Sequence, residues 1–230
     1  MNLLLASIDW WLHTDAGLAA RVAIGASIFA ALALSDVYRN GRNARRWREY
    51  SFLLVTTAIL MAYGAANDAI TCRISWEYFY YGKDLAAVLG PHTPPAVVPL
   101  TIEAAKVGLR ATWSAGLIIG VALLLANNPR PGRPQLPFRR LLALMPGVLL
   151  AVILSGVALG LIGYHGGLAW TSHELRLLAH DNLFRPPNFM AVFGIHLGAY
   201  LGGALGTIWA VSKILRERKQ PAPVASDVVA

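Results

Sequence analysis

Asp68, Glu77, His165, His173, Glu174, His180, Asp181 and His196 stand out because they fall at or near the same ends of long apolar runs. Carboxylates and imidazoles gathered in one such layer can move protons, hold a substrate or ligate a metal. Asp68, Glu77 and His196 are the candidate catalytic groups, with Arg110 and Tyr200 as candidate substrate contacts. Asp68, Glu77, His173, His180 and His196 form the candidate metal set, and mixed histidine and carboxylate ligands suit Zn, Mn or non-haem Fe. No spacing is diagnostic, because the chain contains neither His-Glu-x-x-His nor Glu-x-x-His. A bis-histidine haem would need two facing histidines, which only His165 and His196 supply. The competing structural reading is an Asp68–Arg110 ion pair with His196 as a hydrogen-bonding neighbour, the loop histidines being solvated.

The elements that must position these residues are membrane helices. The chain is 56% hydrophobic and 14% charged, with a mean hydropathy of +0.51, too little charge to cover the surface of a soluble domain. Spans of about 20 apolar residues are expected. They run from about Leu18 to Val37, Tyr50 to Ile70, Val107 to Asn127, Leu141 to Tyr164 and Phe189 to Val211. The fold class is therefore an all-α polytopic bundle of five spans. Residues 18–219 make the membrane domain, with connections at 71–106 and 165–188. Residues 1–17 read as an interfacial segment anchored by Trp10 and Trp11, and 220–230 as a disordered tail. No cleavable signal peptide is evident. The single Cys72 excludes an internal disulfide framework and reads as a small buried side chain.

Charge orients the bundle. Arg39, Arg42, Arg45, Arg46 and Arg48 fall between the first two spans, and Arg130, Arg133, Arg139 and Arg140 between the third and fourth. Lys213, Arg216, Arg218 and Lys219 follow the fifth. This bias predicts an N-terminus outside and a C-terminus in the cytoplasm of a bacterial inner membrane, multi-pass. The net charge of +8 is then topogenic, directed at the lipid bilayer and its anionic headgroups rather than at nucleic acid.

Depth ties the candidates together. His196 lies two to three turns inside the expected outer boundary, Asp68 near the outer end of the second span and Arg110 one turn inside the third, so all three are expected in one pocket. The run Ile74 to Tyr81, rich in Trp, Tyr and Phe, is expected as an aromatic belt at the outer interface. Thr101 is expected to cap the third span, and Ser172 to cap a surface helix carrying His173, Arg176 and His180 on one face. Pro146 should kink the fourth span. Gly194, Gly198, Gly202 and Gly206 form a close-packing stripe, with Gly156 and Gly160 as the counterpart inside the chain and another membrane protein as the alternative occupant.

The stretch Tyr63-Gly64-Ala65-Ala66-Asn67-Asp68-Ala69-Ile70-Thr71, followed by Glu77-Tyr78-Phe79, resembles a pattern from a family of bacterial integral membrane proteins of unknown function. His196 with Tyr200-Leu201-Gly202-Gly203 is similar to that family's late His-x3-Tyr-x-Gly-Gly segment. The family pattern often has His-Asp-Gln where this chain has Asn67-Asp68-Ala69. The resemblance implies no activity, only that Asp68, Glu77 and His196 are the positions to watch. Two function classes follow: a membrane enzyme, metal-dependent or not, acting on a lipid or amphiphile at the outer leaflet, and a non-catalytic subunit or assembly factor. A transporter is disfavoured, since no inverted repeat is visible.

Overall fold

A computed structural model describes residues 14–168 and 185–219. Among them are five helices long and apolar enough to cross a membrane and no strand, so the chain is a multi-pass all-α membrane protein. The elements are α1 (Asp15–Asn40), α2 (Arg46–Thr71), α3 (Trp76–Tyr80), α4 (Ala86–Leu89), α5 (Val97–Ala126), α6 (Phe138–Leu142), α7 (Met145–Tyr164) and α8 (Pro186–Glu217). Residues 1–13, the expected surface helix around His173 and His180, and the tail 220–230 lie outside the described residues.

Four of the five spanning helices outrun the apolar stretch that announced them, whereas α7 starts later than expected, at Met145 rather than Leu141. Hydropathy marks where lipid begins, whereas backbone hydrogen bonding continues the helix into the interface. The largest extension at one end is in α5, which begins at Val97 rather than Val107 and runs for 30 residues, about 45 Å against about 30 Å of hydrocarbon. Its N-cap is Ala96, and Thr101 sits inside the helix with its hydroxyl donating to the Val97 carbonyl. Pro99 is tolerated there because the first turn has no intrahelical acceptor for its amides. The expected Thr101 cap is thus corrected. Pro146 behaves as expected of a helix disruptor: α6 ends at Leu142, and α7 restarts with Pro146 in its first turn.

The spans pack as two antiparallel pairs, α2 with α5 and α7 with α8, and glycine sets both distances. A side chain at Gly194, Gly198 or Gly202 would run into the carbonyls of Leu159, Ser155 and Ala151 on α7, and one at Gly206 would meet Val148 Cα at 2.9 Å. The expected stripe is therefore occupied by the chain's own α7, and it is not open to another protein. A second seam escaped the sequence reading. Ala104, Gly108, Thr112, Gly116 and Gly120 recur every four positions on α5, and Gly108 lies back to back with Gly64. Lipid gives apolar helices no hydrophobic reason to associate, so close backbone contact along such seams supplies the packing energy instead.

Two apolar clusters join the pairs. One, at the arginine-rich end, includes Phe52, Leu123, Leu141, Met145, Val148 and Ile214. Beneath it Arg218, 2% exposed, donates to the carbonyls of Pro134, Ala126, Asn128 and Arg133. It thereby locks the connection between α5 and α6 to the end of α8. The other cluster, at the opposite end, combines Cys72, Phe79, Leu100, Ala104, Phe189 and Val192. Here the structure overturns the aromatic belt: Tyr78, Phe79 and Tyr80 are buried, because α3 folds inward between the pairs. The Ser75 hydroxyl accepts from the Tyr78 amide and starts this turn. In contrast, α1 touches little beyond α2, and only 6% of its apolar window is buried. Asp36 ties its end to α2 by accepting from the Arg46 amide at 2.8 Å.

Candidate functional site

The glycine stripe decides where His196 points. His196 is two residues from both Gly194 and Gly198, about 200° around the helix, so clamping those glycines on α7 turns the imidazole to the opposite face. There it meets α3 and the end of α2. Its ring stacks on Tyr78 at 4.9 Å with an interplanar angle of 11°, and lies edge-on to Phe79 at 5.9 Å. Phe189 closes on Tyr78 at 5.4 Å. His196 Nε2 stands 3.7 Å from Oδ1 of Asp68, with side-chain exposures of 14% and 5%.

Asp68 occupies the last turn of α2 and is held by its neighbours. Asn67 Nδ2 donates to Asp68 Oδ1 at 3.0 Å, and the Thr71 hydroxyl donates to the Asn67 carbonyl. Among the described residues His196 Nε2 has no hydrogen-bond partner, since 3.7 Å is just beyond bonding length. Buried polar atoms are normally satisfied, so an orphaned imidazole nitrogen facing a buried carboxylate is an arrangement with bonding capacity to spare. A water, a substrate hydroxyl or a shared proton can bridge the two groups.

Two residues that sequence reasoning passed over complete the surroundings. Tyr78 supplies the stacking face, and burial together with the nearby Asp68 pushes its hydroxyl above the usual tyrosine range. Lys83 places its ammonium 5.5 Å from the centre of the Tyr78 ring, a cation–π contact. The available signal was an aromatic run followed within a few residues by a lone lysine.

Glu77 plays a different part from the one expected. It is 1% exposed and uses both oxygens structurally, accepting from the Ser75 hydroxyl at 3.2 Å and from the Arg185 amide at 2.7 Å. Its charge therefore sits at the N-terminal end of α8, where it complements the helix dipole. Together with Asn188, whose side chain donates to the Ile74 carbonyl, it stitches the start of α8 to α3. Glu77 is a positioning residue in this geometry.

Arg110 does not join Asp68. With Gly64 packed on Gly108, Asp68 lies level with about Ala104, whereas Arg110 is about 9 Å deeper and turned about 200° from the seam. The expectation of equal depth failed because α5 starts ten residues before its apolar run does. Tyr200 is one turn deeper than His196 on α8 and is exposed. His165 is exposed at the end of α7 with its ring against Tyr164, whereas His196 packs on Tyr78 and Phe79, so the haem pair is not formed. Among the described residues no group of three or more His, Cys, Asp and Glu can hold a metal; His173 and His180 lie outside them.

Fold and site together define a polytopic membrane protein with a buried histidine–carboxylate pair at one end of the bundle. No protein-family model, curated protein or solved structure matches this chain.

Proposed function

We propose that this is a bacterial inner-membrane enzyme that uses Asp68 and His196 for acid–base chemistry on a lipid or other amphiphile at the outer leaflet. The carrying observation is the orphaned His196 nitrogen 3.7 Å from a buried carboxylate. In this reading the N-terminus is outside and the arginine-rich end cytoplasmic, which puts the pair beside the outer headgroups. His196 takes a proton from a substrate hydroxyl or water, and Asp68 stabilises the imidazolium that results. Tyr78 and Phe79 keep the ring in place and bulk water away. Membership in the family with the Tyr-Gly, Asp-x-x-Thr and Glu-Tyr-Phe segments belongs to the same proposal. A divalent metal on Asp68 and His196 would need a further ligand, for which His173 and His180 are the candidates.

The test compares lipid extracts of cells making the wild-type protein with those making His196→Gln or Asp68→Asn at equal abundance and thermal stability. A species that rises or falls with the wild type and not with either variant supports the enzyme. Identical extracts from all three overturn it.

The exposed α1 favours the second reading, a subunit or assembly factor, because 6% burial leaves an apolar helix for lipid or a partner. Site-specific crosslinking from Leu34 or Val37, both exposed, to a single protein would favour it.

A further inference from the structure

Beside the buried pair is a separate cleft of about 770 Å³, bounded by Arg73 and Ile74 after α2, Trp76 and Glu77 of α3, Thr93 and Pro94 of the following connection, and Arg185. Its volume is that of a small-molecule site. Its chemistry is uneven in an informative way. The Glu77 carboxylate is 1% exposed and held by the Ser75 hydroxyl and the Arg185 amide, and so presents little surface to the cleft. Arg73, by contrast, is an exposed cation on the rim, and Arg185 lines the same space. Tyr81 completes one wall with Trp76, their rings 5.9 Å apart. Guanidinium groups match phosphate geometry in a two-pronged way that ammonium groups do not. Apolar and aromatic walls beside such a group suit the glycerol or first methylenes of an amphiphile.

We propose that this cleft binds a phosphate group, with Arg73 as the principal contact, and that it holds the headgroup of the amphiphile. Its role as a substrate subsite rests on the enzyme reading, whereas its phosphate chemistry does not.

Binding to the purified full-length protein in uncharged detergent is measured with three probes: dihexanoyl phosphatidic acid, dihexanoylglycerol and inorganic phosphate. Phosphatidic acid should bind at least about tenfold more tightly than dihexanoylglycerol, as expected for a charge-assisted pair. Arg73→Gln should remove that preference, while Arg42→Gln at the other end of the bundle should keep it. Inorganic phosphate competing as well as the lipid supports a phosphate site for a soluble ligand, and failure to compete supports a lipid headgroup. His196→Gln should bind phosphatidic acid normally, so loss of the enzyme reading leaves this result intact. Equal affinity for the phosphorylated and unphosphorylated lipids, or full preference in Arg73→Gln, overturns the proposal.

Discussion

His196 and Asp68 face each other at 3.7 Å across the junction between the two helix pairs, one on α8 and the other on α2. Neither pair alone makes this contact. The glycine seam of α8 aims the imidazole, and α3 wedges the pairs together around it. Substitutions at the two positions should therefore couple. Asp68→Asn combined with His196→Gln should deviate from additivity in thermal unfolding by at least about 0.5 kcal/mol, whereas Asp68→Asn with Arg110→Gln should add within that margin. Coupling in the Arg110 combination alone would restore the ion pair that the helix register separates.

The seam itself can be tested. Gly198→Leu drives a side chain into the Ser155 carbonyl, while Leu201 is 49% exposed and faces away. Overpacking of this kind costs roughly 1–3 kcal/mol or more. Gly198→Leu should lower the unfolding midpoint in detergent by several degrees, and Leu201→Ala should barely move it. Equal effects would place the seam against lipid.

Topology can be read with cysteine chemistry, given care over the native thiol. Cys72 is 1% exposed, and burial, only partly offset by Thr101, pushes its thiol above the ordinary range. Its thiolate is therefore scarcer than a free cysteine's at neutral pH, and its alkylation should be slow and should quicken as pH rises. The informative probe is a cysteine at exposed His92 in a Cys72→Ser background. An impermeant maleimide added to intact cells should label it and should miss a cysteine at Asn43 until the membrane is opened. The reverse pattern inverts the proposed orientation.

What the sequence disclosed and what it hid follow a physical division. Apolar length and arginine placement announced the five helices because the bilayer imposes both. The Gly194 to Gly206 stripe was legible because a four-residue repeat of small side chains has one structural use. Register between helices was not legible: the depth of Arg110 depended on α5 starting at Val97, ahead of Pro99, Glu103 and Lys106, residues that interrupt the apolar pattern but not the helix. The fate of Tyr78 and Phe79 was hidden for a related reason. An aromatic run beside a span suits an interface and a core equally, and only the Ser75 cap and the Glu77 stitch to Arg185 turn it inward. Glu77 looked catalytic because a carboxylate beside an apolar run is conspicuous in a sequence, while the Ser75 hydroxyl and Arg185 amide that it accepts from are not.

The central claim is that Asp68 and His196 form one proton-handling site, and the most direct measurement is the titration of His196 by nitrogen NMR in protein labelled at histidine. The His196 resonances, assigned by their absence in His196→Gln, should titrate with a different midpoint in Asp68→Asn than in the wild type. Those of exposed His92 and His165 should be unchanged. A His196 titration that is the same with aspartate or asparagine at position 68 would contradict the shared site.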